Sequence, residues 1–419
     1  MIFYGGTCYE NSEQPRLLET LREDCYRTLE RRGPIDRETV IRACDALYRR
    51  VCDHAFDDVV LPLLKLADLS YERFLEMGRM FSREGLEFKC RTELAGLPEE
   101  RILPSGTVCR RVPLGILFHI AAGNVDALPA FSVVEGLLAG NVNVLKLPTG
   151  DSGVSVRLLS ELVREEPALA DYIYVFDVPS TETETLKRFA EIADAAVVWG
   201  GDAAVEAART LCDVKTQIIA WGHKLSFAYA TPDVSESDLD LLAGHICATN
   251  QVLCSSCQGI FVDTDDPAVL KTVAEQFYKA LSAADRRMGK ADVGMRGKNS
   301  IRIYNDLLED PGKTVFHGNG VSVRVGTDSR LELSYLFRDV WVKPLKRERI
   351  LSAIKPYKAH LQTCGLLCGD GDRPALADLL TRAGVTRVTG GDLSRMVPGE
   401  AHDGAYPLAL YSRVVEIDP

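Results

Sequence analysis

The sequence has no long apolar run. Nothing in its 419 residues approaches the ~18 uninterrupted apolar residues that a membrane-spanning helix needs. Its opening, MIFYGGTCYENSEQPR, has no basic stretch leading into an apolar one, so no signal peptide is expected. Positive charge is short as well. Lys and Arg number 49 against 60 Asp and Glu, for a net charge of -11. That balance argues against nucleic acid as the main partner, because phosphate binding wants a basic face. No disulfide framework is legible either. The twelve cysteines are scattered without regular spacing, which suggests reduced thiols in the cytosol. Most are expected to be small buried hydrophobes. Internal repeats and low-complexity segments are missing too, and the length alone suggests two or three domains.

What is there changes texture near residue 107. Before it, RLLETLREDCYRTLERR, ETVIRACDALYRRVCDHAF and SYERFLEMGRMFSREGL carry apolar positions at helical spacing, so residues 14–96 read as helices. After it, short apolar runs alternate with amphipathic stretches: PLGILFHI, NVNVLKLP, YIYVFDVP, AAVVWGG and TQIIAWG are separated by helical patterns. This is the signature of a parallel sheet covered on both faces. Such sheets bind nucleotides at the carboxyl ends of their strands. A second α/β unit follows from about residue 229, with QGIFVD, VSVRVG, DVWVKPL and QTCGLLCG as strands and KRERILSAIKPYKAHL as a helix. The tail YPLALYSRVVEI reads as a strand at an oligomer edge. Two lobes imply a cleft.

CATNQVLCSSCQG (247–259) opens the second unit's core with three cysteines and little charge. Cys254 and Cys257 admit four readings. A zinc knuckle wants a second well-spaced pair, and Cys364 with Cys368, in an apolar run, is the sole candidate. A redox pair belongs at the start of a helix in a smaller domain. Two core thiols need nothing else. A nucleophile fits a thiol between a helix end and a strand start, where positive dipoles and backbone N–H groups favour thiolate. Gln258 next door is polar in an otherwise apolar setting.

Several segments together weigh for the nucleophile. PLGILFHIAAGNVDALPAFSVVEGLLAGNVNVLKLP (113–148), VVWGG (197–201), NQVLCSSCQ (250–258), LQTCGL (361–366) and HDG (402–404) stand in an order that resembles the aldehyde dehydrogenase superfamily, and within it the fatty acyl-CoA reductase, or LuxC-type, branch. The resemblance spans about residues 105–415; the helical first hundred residues match nothing distinctive. It implies an aldehyde-dehydrogenase-like α/β fold with two Rossmann-type lobes and a helical N-terminal segment. It also implies NADP(H)-dependent reduction of an acyl thioester to an aldehyde. The alternatives are a CoA-acylating aldehyde dehydrogenase running oxidatively and a non-enzymatic scaffold that binds an acyl-transferring partner.

By the same resemblance Cys254 takes the nucleophile's place, and Asn124 that of the amide that stabilises the oxyanion, although a Gly-Asn turn also explains it. Lys146 takes the place of the lysine that holds the adenosine ribose. Gly200 and Gly201 fall where the chain passes the cofactor, or simply form a helix N-cap turn. Thr149 stands where NAD-preferring relatives often carry Glu, which favours NADP(H). Ala220, in IIAWGHK, stands where ordinary aldehyde dehydrogenases place the Glu that activates water, so an acyl-enzyme should resist hydrolysis. No Glu-x-Phe-Gly-Pro run grips the nicotinamide ribose. His119, His223 and His402 are polar candidates with bland structural explanations, and no metal is expected. The implied partners are acyl-CoA or an acyl-carrying protein, in a cytoplasmic homo-oligomer. The expected organisation is a helical segment (1–106), an NADP(H)-binding domain (107–228), a catalytic domain (229–390) and a C-terminal return (391–419).

Overall fold

The computed structural model describes residues 1–67, 70–95, 100–123, 127–289, 291–393 and 399–419. Its strands run β1 (Ile2–Tyr4), β2 (Thr7–Tyr9), β3 (Glu100–Ile102), β4 (Val108–Pro113), β5 (Ile116–Ile120), β6 (Val142–Lys146), β7 (Ile173–Phe176), β8 (Ala195–Trp199) and β9 (Gln217–Trp221). They continue with β10 (Leu225–Ala230), β11 (Cys257–Val262), β12 (Thr314–Gly318), β13 (Val321–Val325), β14 (Asp339–Pro344), β15 (Leu361–Leu367), β16 (Arg387–Thr389) and β17 (Ser412–Ile417). The chain divides into two compact units, Met1–Gly222 with Val397–Pro419, and His223–Met396.

The first unit is built on a seven-stranded sheet ordered β2-β1-β7-β6-β5-β8-β9. Its five strands from β7 to β9 are parallel. The inner strands VNVLK and AAVVW are buried at every position, as strands covered on both faces must be. An N-terminal hairpin comes as an addition to the sequence reading. IFY is fully buried and pairs antiparallel with β7, closing an edge that would otherwise leave unpaired backbone groups. The helical segment packs on this sheet through Leu17, Leu21, Cys25, Val40, Ile41, Cys44 and Leu86, which share one core with the strands.

The stretch SYERFLEMGRMFSREGL, expected as one helix, is broken. Ser82 leaves the helical region and its hydroxyl accepts from the Gly85 N–H, starting a new helix at Arg83–Glu93. The C-terminal tail forms the expected strand. β17 joins β4 and β3 in a small antiparallel sheet and leaves Val414 and Ile417 exposed.

The second unit has its own seven-stranded sheet, β12-β13-β14-β11-β10-β15-β16, parallel except at the edge strand β12. Gly259 is required on β11, because a Cβ there would lie 2.0 Å from the buried Trp341 ring. The helix expected over KRERILSAIKPYKAHL shrinks to Ile350–Ile354 between two single turns; Pro356, which lacks an N–H, ends it. Among the described residues no helix is long and apolar enough to cross a membrane.

Candidate active site

In the first unit, Lys146, Gly200 and Gly201 lie at the carboxyl ends of the parallel strands. Lys146 is the last residue of β6 and is 3% exposed. Its Nζ donates to Ser180 Oγ at 3.0 Å. Burial holds the ammonium below the usual lysine range, and the nearby Asp177 charge offsets part of that shift. Thr149 lies three residues on, exposed to solvent.

Gly200 and Gly201 follow β8 and open the helix Asp202–Leu211. A Cβ on Gly200 would come within 2.9 Å of Ala204 Cβ, so the tight strand-to-helix turn accounts for that glycine. Gly201 is the N-cap, has open space around it, and leaves the helix without a side-chain cap. The helix Val154–Glu165 after β6 also starts on a glycine, Gly153, with no side-chain cap. Uncapped helix N-termini and a buried cation at the carboxyl edge of a parallel sheet are the groups that a dinucleotide's phosphates and ribose need. The residues present fit such a cofactor. Asn124 lies outside the described residues.

Two of the histidine candidates in this unit have structural explanations. His119 is fully buried in a chain of hydrogen bonds. Trp199 Nε1 donates to Ser132 Oγ at 2.9 Å, and Ser132 Oγ lies 2.7 Å from His119 Nδ1. His119 Nε2 lies 3.0 Å from Asn143 Oδ1, whose amide nitrogen already donates to the Asn141 carbonyl. The network therefore needs a neutral ring protonated at Nε2. Burial pushes its pKa down to about 4. His402 packs between the rings of Trp199 and Trp221, with centroids 5.1 and 5.0 Å away, at a turn where Asp403 and Gly404 both take positive φ. Ala220, on the edge strand β9, is exposed.

The second unit carries Cys254, exposed in a tight turn just before β11. The turn closes on itself: Ser256 N donates to Leu253 O at 3.0 Å, and Leu253 N donates to Ser256 Oγ at 3.1 Å. Ser226, where the β10 register shifts, donates from its hydroxyl to the Cys254 carbonyl at 2.8 Å.

Two buried glutamines brace the loop from beneath. Gln251 Nε2 approaches the carbonyls of Cys257 (3.1 Å) and Asp339 (2.8 Å), and Gln251 Oε1 accepts from Arg338 N at 2.9 Å. Gln258 Nε2 donates to the carbonyls of Gln251 and Ser256, each at 3.2 Å, while its Oε1 accepts from Ser334 Oγ at 2.9 Å. His245 Nε2 accepts from Cys257 N at 3.2 Å, with its pKa pushed down to about 4 by burial.

Cys257 is a different kind of thiol from Cys254. It is fully buried, donates to the Gly259 carbonyl at 3.3 Å, and burial pushes its pKa up to about 12. All twelve cysteines are thiols. Among the described residues no group of His, Cys, Asp and Glu is placed to hold a metal. The helix dipole next to Cys254 is opposite in sign to the one expected. The helix that precedes Cys254, Glu236–Thr249, turns its C-terminal end to this loop, so that helix contributes the negative end of its dipole. Any activation of the Cys254 thiol has to come from other groups. His223, in the same unit, offers its carbonyl to His360 Nδ1 at 3.2 Å.

A family model described as Acyl-CoA reductase (LuxC) matches residues 46–414. The chain belongs to this LuxC family. The match begins well upstream of residue 105, so most of the helical segment, featureless as sequence, lies within the family's bounds. Among curated relatives, the long-chain acyl-protein thioester reductase of Aliivibrio fischeri is 25% identical over 313 residues, covering 72% of this chain and 64% of that protein. Its counterpart from Vibrio harveyi is 27% identical over 172 residues, covering 40% of this chain and 36% of that protein. The LuxC-family chain thus spans less than two thirds of the length of the relatives it matches.

Solved structures show the fold. An NAD-dependent benzaldehyde dehydrogenase from Corynebacterium glutamicum superposes with a TM-score of 0.69 at 16% identity, over 96% of this chain and 90% of that one. A 3,6-anhydro-L-galactose dehydrogenase in complex with NAP gives 0.72 at 12% identity, over 100% and 99%. The fold is that of the aldehyde dehydrogenases, α/β with two Rossmann-type units.

Sequence reasoning missed Ser180 and Asp177, the companions of Lys146, and Ser226 and Gln251, which hold the Cys254 turn. Asp177 had a signal: it is an acid directly after the buried run YIYVF.

Proposed function

We propose that this protein reduces an acyl thioester, acyl-CoA or a carrier-bound acyl group, to an aldehyde with NADP(H), through an acyl-enzyme on Cys254. Its main support is the family match that spans both units. An exposed thiol in a braced turn, beside a buried thiol with no such exposure, suits a nucleophile at Cys254 rather than Cys257.

In this reading the Cys254 sulfur attacks the acyl carbon. The Cys254 backbone N–H and the Asn124 amide stabilise the tetrahedral oxyanion. The C–S bond to the carrier breaks, the carrier leaves as its thiol, and the acyl group stays on Cys254. NADPH, when bound, supplies hydride to the acyl carbon. The resulting thiohemiacetal on Cys254 collapses to aldehyde and returns the sulfur. Lys146 holds the adenosine ribose, and Gly201 lets the backbone of its turn approach the phosphates. Exposed Thr149 puts no carboxylate beside a 2′-phosphate, which supports NADP(H). With alanine at position 220, no carboxylate there activates water, so the acyl group waits for reduction.

The test is mass spectrometry of the protein after acyl-CoA is added without NADPH. One acyl adduct on Cys254 is expected, lost together with reductase activity in Cys254→Ala. Cys257→Ser should keep most activity. An adduct that survives in Cys254→Ala and maps to Cys257 would refute the assignment.

A further inference from the structure

The first unit places a second charged side chain, the Asp177 carboxylate, at the sheet edge that carries Lys146. β6 and β7 are parallel neighbours with Lys146 level with Phe176, and Leu147 N donates to the Phe176 carbonyl at 2.9 Å. Asp177 is therefore the next residue beyond that pairing, at the same carboxyl edge as Lys146. The turn that follows doubles back over the lysine, since Ser180 Oγ accepts from Lys146 Nζ at 3.0 Å. Asn11 Nδ2 and the Met1 ammonium both donate to Asp177 Oδ2 at 3.2 Å, so one carboxylate oxygen is fixed. The side chain remains 46% exposed. Burial would raise its pKa, but the two donors and the Lys146 charge outweigh that and hold the carboxyl below the usual carboxylate range. At neutral pH this edge presents an anchored ammonium and an anchored carboxylate together.

We infer that Asp177 is a specificity-determining residue of the nucleotide site, the carboxylate that faces the adenosine ribose and limits how strongly NADPH is preferred. The inference rests on the nucleotide reading of this sheet edge. A carboxylate accepts hydrogen bonds from a ribose diol and repels a 2′-phosphate, while an ammonium at the same edge attracts the phosphate. Thr149 removes one source of repulsion and Asp177 supplies another. The balance between NADPH and NADH is then set by the Lys146–Asp177 pair.

The experiment is a fluorescence titration of the full chain with NADPH and, separately, NADH, at fixed ionic strength, for the parent, Asp177→Asn and Asp177→Glu. Asp177→Asn should raise the NADPH:NADH affinity ratio about fivefold, the scale of one partly exposed charge interaction. Asp177→Glu should stay near the parent ratio. A folded Asp177→Asn that weakens both nucleotides equally, or changes neither, overturns the inference, because a merely structural role does not sense the 2′-phosphate. If Asp177→Asn does not fold, Asp177→Ser gives the same readout. A parent that binds neither nucleotide brings down the nucleotide reading and this inference with it. A parent that binds both, with an unmoved ratio in the variants, brings down Asp177 alone.

Discussion

A single side chain at position 220 carries the proposed difference between a reductase and a hydrolase. Ala220 is exposed on the edge strand β9, so a larger polar side chain there meets no burial penalty. Ala220→Glu is expected to fold like the parent and, if the residue faces the acyl-enzyme, to convert acyl-CoA to free acid. General-base assistance is typically worth about 10²–10⁴-fold, and a tenth of that is measurable against a slow background. The check is free-acid release by chromatography without NADPH. A folded variant that still acylates at Cys254 but releases no extra acid would show that Ala220 stands elsewhere. The two thiols of the Cys254–Cys257 pair also differ at this scale, because three residues of chain carry one from an exposed turn to the first, fully buried position of a strand.

The turn that holds Cys254 depends on glutamines that no motif required. Gln251 takes a left-handed φ of 65°, just past the end of the helix Glu236–Thr249, and its amide ties that end to Cys257, Arg338 and Asp339. Residues Leu336, Phe337 and Arg338 are left-handed too, an unfavourable run for non-glycine residues. The Gln251 carbonyl oxygen is what receives the Arg338 N–H at 2.9 Å. Gln251→Ala leaves that buried donor and two carbonyls short of a partner, a loss of about 2–4 kcal/mol. The urea unfolding midpoint should drop accordingly. A midpoint within error of the parent would mean that the left-handed run is held by other contacts. The N-terminal hairpin was hard to read for the same reason of scale. Three apolar residues carry no periodicity, and only the open edge of β7 gives IFY a place.

Two buried histidines should make the molecule less stable in mild acid, offset in part by buried Glu135, whose pKa burial raises to about 7. His119 and His245 both have folded pKa values of about 4, lowered chiefly by burial from an ordinary 6.5. Between about pH 6.5 and 4 the unfolded chain binds protons on these rings that the folded chain does not, so stability falls as pH falls through that window. Above pH 6.5 their full contribution is present. At 1.36 kcal/mol per pKa unit, each ring accounts for about 3 kcal/mol by pH 4. The urea midpoint at pH 5 should lie below that at pH 7.5. A midpoint that rises on acidification in Glu135→Gln, which lacks the opposing carboxyl, would contradict the neutral, buried state of both rings.

The sequence by itself determined the parallel sheets, because strands buried on both faces are mainly apolar, and ILFHI, VNVLK, IYVF and AAVVW say so even though His119, Asn143 and Lys146 interrupt them. It also determined the order of chemical residues along the chain, which is what made the family legible around Cys254, Lys146 and Thr149. Tertiary structure decided what those residues have for neighbours. The Asp177 charge acts on Lys146 from 31 positions away only because β6 and β7 are adjacent. Ser226 reaches the Cys254 carbonyl because β10 lies beside β11. Local pattern sets which residues are buried. Side-by-side pairing of strands distant in sequence sets which charges and hydroxyls meet, and periodicity carries no information about that pairing.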